Sequence, residues 1–169
     1  MNKLKKTIFL LLIVGTLHNT YSQNFSKRKI NNLKSHAAKL VEEDKKMTQV
    51  MIDKVFSFGE LGFQEFETSK YLSNILEENG FELQYNISDI PTSWLAKWSN
   101  GSGGPVIALG SDFDGVPSTS QYPGVAYEKP VVEGAPGHGE GHNIGLPIVI
   151  TAALSIKKVM IENNINGTL

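Results

Sequence analysis

The segment APGHGEGHN (135–143) carries two imidazoles and a carboxylate, and every second residue from 137 to 141 is glycine. Because glycine disfavours helix, we expect a loop here and not the helical histidine pair of H-E-x-x-H metalloproteases. In an extended loop, Glu140 and His142 lie on the same side and can converge on one cation. The alternative is a glycine-rich surface loop in which His138 and His142 are ordinary solvated histidines.

The chain has no cysteine, so any metal must be bound through nitrogen and oxygen ligands alone. A set of imidazoles and carboxylates suits Zn²⁺, with Mn²⁺ and Co²⁺ as alternatives. The absence of cysteine also excludes disulfides and a lipid-modified cysteine anchor. The formal net charge is −1 and no basic stripe follows the first residues, so nucleic acid is not an expected partner.

A second candidate, GSDFDGVPS (110–118), directly follows the continuous apolar run PVIALG (105–110). That run predicts a strand buried on both faces, and the carboxyl ends of such strands are where α/β sheets usually carry their chemistry. Asp112 and Asp114 alternate in an extended chain and are expected to point to the same side. The simplest alternative is a solvated acidic turn.

The DFDGV sequence also resembles the opening motif of haloacid-dehalogenase-type phosphatases. In that motif one Asp attacks phosphorus and a second acts as acid, with Mg²⁺ as cofactor. Asp112 and Asp114 would take these two roles. Against this function, Gly110 and Ser111 separate the motif from its apolar run, and the histidines of the 135–143 segment would have no part. The phosphatase remains an alternative from a different enzyme class.

Apolar periodicity predicts the elements that must position these two motifs. Helices are predicted at 26–47, 48–58, 67–79 and from about 142–146 to 163. Strands are predicted at 81–88, 93–98 and 105–110, with a further strand starting near 169. The segment 115–141 is rich in Gly, Pro and Ser and is expected to be a long loop, either functional or disordered. The order of the elements indicates an α/β layered domain.

Residues 1–22 have the pattern of a secretory signal peptide. A basic start (KLKK) precedes an apolar run at 7–17, and Thr20 and Ser22 supply the small residues of a cleavage site. The run is shorter than the roughly 20 residues that a transmembrane helix needs. We therefore expect a secreted or periplasmic protein with no membrane association after cleavage. A buried N-terminal helix is the alternative.

Four stretches, taken in order, resemble one enzyme family: FGELGFQEFETSKYLSNILEENGFEL, IPTSWLAKW, PVIALGSDFDGVPSTSQ and KPVVEGAPGHGEGHN. They are similar to the N-terminal portion of the metal-dependent amidohydrolases and exopeptidases that include the aminoacylases and carboxypeptidase G. Within this family the p-aminobenzoyl-glutamate hydrolases are the nearest subfamily. The resemblance covers 48–169, after the signal peptide at 1–22 and an amphipathic helical lead at 23–47.

The resemblance implies an α/β fold, the layered helix–sheet–helix catalytic domain of a two-metal exopeptidase, truncated so that the lid or dimerisation domain is absent. It implies that the full-length parent is an enzyme that hydrolyses an amide bond to an amino acid. The substrate would be a small acyl-amino acid, an aroyl-glutamate or a dipeptide-like compound. Two divalent metal ions would activate a water and polarise the scissile carbonyl. A homodimeric parent is compatible with the family.

Matched motif to motif, five side chains take functional positions of the family. The candidate metal ligands are Glu140, His142, Asp112 and His138, and the candidate catalytic residue, which supports the first metal site, is Asp114. Glu140 stands where the nearest subfamily has cysteine, and Asp112 stands where many relatives have histidine. His138 matches a histidine of the family, but the resemblance assigns it no fixed role.

The general-base glutamate of the family would lie beyond Leu169. We therefore expect the 169-residue chain alone to have no amidase activity, and the catalytic function to belong to a longer parent protein. A third hypothesis is non-enzymatic, a truncated remnant that keeps part of the fold without the chemistry.

Overall fold

The computed structural model describes residues 24–169, so the signal peptide predicted at 1–22 lies outside the described residues. Four α-helices lie in this range: α1 (Lys27–Glu43), α2 (Lys45–Phe58), α3 (Phe66–Glu78) and α4 (His142–Glu162). All four were predicted from apolar periodicity, and their observed bounds differ from the predicted ones by a few residues.

Helix α1 begins at an N-cap, since the Ser26 hydroxyl accepts a hydrogen bond from the Lys29 backbone N–H at 3.2 Å. The helix packs along α4, and the Lys29 ammonium donates to the Asn163 side chain. His36 on the same helix pairs with Glu162 at 3.5 Å. The amphipathic lead predicted at 23–47 therefore packs on the rest of the described chain.

The hydrophobic core forms where α2, α3 and α4 meet. Its buried members are Met51, Val55, Leu72, Leu76, Phe81, Leu146, Ile150 and Ala153. By length and composition alone α4 could cross a bilayer, but 44% of its apolar window is buried inside the protein. It also supplies the last three residues of the core cluster. We therefore interpret α4 as the central core helix.

Four short strands pair as two antiparallel sheets within the described residues. They are β1 (Glu82–Tyr85) with β2 (Trp94–Lys97), and β3 (Ser99–Asn100) with β4 (Gly167–Thr168). The structure confirms, in shorter form, the strands that the sequence predicts on either side of 89–92 and near 169. β1 ends at Tyr85 because Asn86, Ser88 and Asp89 adopt left-handed backbone conformations that a strand cannot continue.

The prediction of a doubly buried strand at 105–110 is wrong. Within this segment Val106 alone forms a bridge, to Thr168, and the Ile107 N–H donates to the Thr168 carbonyl at 2.9 Å. Val106, Ile107 and Leu109 are 79%, 50% and 44% exposed. A continuous apolar run is buried only where other elements cover both of its faces, and residues 24–169 cover this one incompletely.

An open apolar cleft of about 400 Å³ lies beside this segment. Its lining includes β2, residues 106–109, and Leu146 and Ile150 of α4. Thr168 of β4 and the following residue, Leu169, also line the cleft. The Leu169 N–H donates to the Trp98 carbonyl at 2.9 Å. None of the five candidate functional side chains lines this cleft, so it is separate from the candidate site.

The irregular segment 115–141 folds back on itself and brings the two chemical motifs together. Val116 and Gly137 form an antiparallel bridge with N–H···O distances of 2.8 and 3.1 Å. The HGEGH motif is thereby held beside the segment that carries the two aspartates, immediately before α4 begins.

Candidate metal centre

The HGEGH motif is a loop, as its glycines predict, and its last residue begins α4. Gly141 has a left-handed backbone (φ 97°) and is the N-cap of α4, whose first residue is His142. Across the site, the Gly115 N–H donates to the Glu60 carbonyl at 2.6 Å and holds the chain directly after Asp114. The aspartates are thus fixed opposite the N-terminus of α4.

Positions 137 and 139 need glycine because Thr119 lies against the backbone there. A Cβ added to Gly137 would lie 2.5 Å from the Thr119 carbonyl oxygen, closer than real Cβ contacts allow. A Cβ added to Gly139 would lie 3.2 Å from the Thr119 methyl carbon. The two glycines therefore allow a close approach of two backbone segments, and this approach brings the imidazoles within reach of the carboxylates.

Gly137→Ala is expected to lower the free energy of unfolding by roughly 1–3 kcal/mol, because the added methyl group must push two backbone segments apart. The same displacement moves the motif, so the affinity for Zn²⁺ is expected to fall as well. Gly110→Ala is the matched control, since Gly110 is not left-handed and an added Cβ would meet no atom within 4 Å. Urea denaturation measures both variants, and equal stabilities would contradict the close approach.

Asp112, Asp114 and His142 form a cluster whose ligand atoms all lie within 4.8 Å of one another. His142 Nδ1 is 2.9 Å from Asp114 Oδ1, a hydrogen bond in which the ring N–H donates to the carboxylate. His142 Nε2 is 3.4 Å from Asp112 Oδ1, which is longer than a hydrogen bond. The two ring nitrogens therefore meet two carboxylates at different distances.

These distances fit a metal ion between Asp112 and His142. Two ligands bound at roughly 2.1 Å to a tetrahedral metal are separated by about 3.4 Å. This is the observed spacing of Asp112 Oδ1 and His142 Nε2, 3.4 Å. Asp114 Oδ1 accepts the hydrogen bond from the other ring nitrogen, a contact that would fix the orientation of a metal-binding ring. The nitrogen and oxygen donors suit a borderline divalent ion.

Glu140 lies between the two imidazoles of its motif. Its Oε1 is 3.5 Å from His142 Nδ1 and 3.6 Å from His138 Nδ1. The carboxylate is therefore adjacent to the Asp112, Asp114 and His142 cluster without being one of its three members.

His138 is in a different environment from His142. Its side chain is fully buried, and its Nε2–H donates to the Val55 carbonyl of α2 at 3.1 Å. Its Nδ1 has no hydrogen-bond partner among residues 24–169. The alternative of a solvated surface histidine is therefore wrong for His138. The structure brings three of the candidate carboxylates, Asp112, Asp114 and Glu140, close to His142. It places His138 against α2.

Negative charge dominates the environment of His142. Partial burial acts to lower the pKa of His142, but the hydrogen bond to Asp114 and the charges of Asp112, Glu140 and Asp114 outweigh it. The net result is a pKa above the ordinary value of 6.5. The same charges that retain a proton on the ring attract a divalent cation. Protons and metal therefore compete for this ring, and acid opposes metal binding.

Two glutamates that the sequence did not single out support this region. Glu60 Oε2 accepts hydrogen bonds from the backbone N–H and the hydroxyl of Thr68, at 2.9 and 2.8 Å, and so caps α3. Glu65 is buried and accepts a hydrogen bond from the Thr92 hydroxyl at 2.6 Å. Acidic residues just before a predicted helix are a helix-start signal, and ELGFQEFET carries it. The pairing with Thr92 has no signal in the sequence.

Comparison with known proteins finds a curated relative and similar solved structures, although no protein-family model matches the chain. The chain is 33% identical over 129 residues to one of the subunits of p-aminobenzoyl-glutamate hydrolase from Escherichia coli (strain K12), covering 76% of this chain and 26% of that protein. Its fold is similar to that of the YXEP protein of Bacillus subtilis, a dinuclear metal-binding peptidase from the M20 family. The TM-score is 0.50 at 22% identity, over 80% of this chain and 34% of the other.

The structural match shows that the chain shares the mixed helix-and-sheet fold of part of a dinuclear metal-binding peptidase. More particularly, the sequence match shows that it is similar to a stretch of a p-aminobenzoyl-glutamate hydrolase subunit. The chain spans about a quarter of the curated relative, 26% of its length. The resemblance and the fold class that the sequence predicts are thereby confirmed.

Proposed function

We propose that the protein to which this chain contributes is a metal-dependent amidohydrolase that cleaves an amide bond to an amino acid. The observation that carries the proposal is the convergence of Asp112, Asp114 and His142, with all ligand atoms within 4.8 Å. One relative is a hydrolase named for p-aminobenzoyl-glutamate and the other is a peptidase. The proposed substrates are therefore aroyl- or acyl-glutamates and dipeptide-like compounds.

Each side chain has a separate task in this proposal. Asp112 and His142 Nε2 would hold one divalent ion, and Asp114 fixes the His142 ring by accepting its Nδ1–H. Glu140, which lies beside this cluster, would be a further ligand. When bound, such ions lower the pKa of a water molecule and polarise the scissile carbonyl.

Zn²⁺ is the proposed metal, with Mn²⁺ and Co²⁺ as alternatives, because the donors are imidazole and carboxylate without thiolate. Glutamate at position 140, in place of the cysteine of the nearest subfamily, suits an exported protein, since an exposed thiolate is prone to oxidation. Secretion or a periplasmic location, from the signal peptide at 1–22, is part of the same proposal, and so is a dimeric parent.

The coding DNA past the codon for Leu169 decides which protein must be assayed. If the reading frame continues, the complete protein loaded with Zn²⁺, Mn²⁺ or Co²⁺ is expected to release glutamate from p-aminobenzoyl-glutamate. A chelator is expected to abolish this release, because the ions activate the water. The 169-residue chain alone is expected to show no turnover, and turnover by it would contradict that part of the proposal.

A phosphate ester, p-nitrophenyl phosphate, is the parallel substrate that tests the phosphatase alternative. Hydrolysis of this ester without hydrolysis of any amide would overturn the proposed function. A stop codon directly after Leu169, together with no metal binding by the chain, would overturn it in favour of the non-catalytic remnant.

A further inference from the structure

We infer that His138 is a positioning residue that holds Glu140 and the HGEGH loop at the metal centre without itself binding metal. This inference rests on the proposed function, because it concerns the same metal centre. It assigns a task to His138, which with Glu140 is one of the two candidate side chains outside the three-membered cluster.

The first support is the bond from His138 to α2. A carbonyl oxygen only accepts hydrogen bonds, so the 3.1 Å contact with Val55 requires that His138 Nε2 carries the proton. Val55 lies in the last turn of α2, where its carbonyl also accepts the Gly59 N–H at a long 3.5 Å. The histidine side chain is thus the closer of these two donors to a carbonyl near the helix end.

The second support is the packing of the loop against the same helix end. A Cβ added to Gly59, the left-handed C-cap of α2, would lie 3.0 Å from the Pro136 carbonyl oxygen. The rings of Phe56 and His138 have centroids 6.5 Å apart. The loop is therefore attached to α2 by backbone contact, ring packing and one directed hydrogen bond.

The third support is the position of His138 relative to the cluster. With Nε2 bonded to Val55, the ring presents Nδ1 toward Glu140 Oε1 at 3.6 Å. The same carboxylate oxygen is 3.5 Å from His142 Nδ1. The contact between His138 and Glu140 is a packing contact and not a hydrogen bond, since an unprotonated Nδ1 and a carboxylate oxygen both only accept. A displaced His138 moves Glu140 because the two residues are two positions apart on the same loop.

The surroundings of His138 favour a positioning role over a role as a metal ligand. Its side chain is 0% exposed, whereas that of His142 is 33% exposed. Among residues 24–169, the group of three donors that could hold an ion includes His142 and excludes His138. A catalytic ion keeps one coordination position open for water or substrate. Such an ion is more accessible to solvent at the 33% exposed His142 than at the fully buried His138.

The test compares His138→Gln with His138→Asn in the full 169-residue chain. Both replacements carry the same amide group, but only glutamine is long enough for its NH₂ to reach the Val55 carbonyl. Isothermal titration with Zn²⁺ is expected to show a 10–100-fold weaker affinity for His138→Asn, the usual cost of losing an outer partner of a metal site. His138→Gln is expected to stay close to wild type, and the number of ions bound is expected to be unchanged in both.

A measurement on the unmutated chain keeps the inference testable if His138→Asn fails to fold. In ¹⁵N NMR selective for histidine, His138 is expected to be protonated at Nε2 both before and after Zn²⁺ is added, while the signals of His142 change. A change at His138 Nδ1 on adding Zn²⁺, or the loss of one bound ion in both variants, would overturn the inference in favour of a ligand. Equal Zn²⁺ affinity of His138→Asn and wild type would overturn it as well. If the wild-type chain binds no metal, the proposed metal centre in this chain fails, and with it the role of His138; the activity of a longer protein is then decided by the amide-hydrolysis assay.

Discussion

His142→Ala is expected to lower the affinity of the chain for Zn²⁺ by more than about 100-fold, beyond the 10–100-fold that loss of an outer partner usually costs. The reason is that His142 meets every other member of the site. Asp114 lies at 2.9 Å from its Nδ1 and Asp112 at 3.4 Å from its Nε2. Removing the ring leaves three carboxylates facing one another, without the nitrogen donor between them. Isothermal titration of the 169-residue chain with Zn²⁺ measures the effect.

His36→Ala is the matched control for this experiment. His36 also faces an acidic partner, Glu162 at 3.5 Å, but it lies on α1 and is not part of the cluster. Its replacement is expected to leave Zn²⁺ affinity unchanged. Glu140→Gln extends the series, because it keeps the size of the side chain and removes its charge. Unchanged metal content in this variant would show that Glu140 is not a ligand, and unchanged affinity in His142→Ala would remove the metal site altogether.

Leu72→Ala is expected to lower the free energy of unfolding by roughly 2–5 kcal/mol, the range for a buried leucine whose removal leaves a cavity. Leu72 is 0% exposed and lies on α3, in the cluster that joins α2, α3 and α4. Val106→Ala is expected to change the same quantity by less than about 0.5 kcal/mol, because exposed positions contribute little. Val106 is 79% exposed. Urea denaturation followed by circular dichroism measures both variants.

This pair of variants tests whether the apolar segment 105–110 is covered in solution. Comparable losses for Leu72→Ala and Val106→Ala would mean that another surface buries the segment, and that the cleft beside it is filled. A small loss for Leu72→Ala would instead contradict the position of the core between the helices.

The sequence determined the helices and the nature of the two motifs, because their causes are local. Leu72 and Leu76 recur at the spacing of one helical turn, and Gly80 follows the end of α3. The glycines of the HGEGH motif disfavour helix over their own few residues, and the structure has a loop there until α4 begins. The order of the motifs also carried the resemblance to the p-aminobenzoyl-glutamate hydrolases, which the sequence match bears out.

The sequence also selected the side chains of the candidate site, but not their arrangement. Asp114 and His142 are separated by 28 positions along the chain and meet at 2.9 Å. Nothing in either motif specifies this contact. It depends on the bridge between Val116 and Gly137, which closes the irregular segment between the motifs. The bridge also requires glycine at 137 and 139, where Thr119 approaches the backbone. This requirement can be recognised only when the positions of both segments are known.

Only the tertiary structure decided which apolar and polar residues are covered. The run at 105–110 has the composition of a buried strand, yet Val106 and Ile107 are exposed. His138 has the sequence context of a surface loop, yet its side chain is buried and bonds to Val55, 83 positions earlier. Burial is a property of the partner that covers a residue, and that partner is distant in sequence. Local composition therefore predicts what a segment can form, while long-range packing determines what surrounds it.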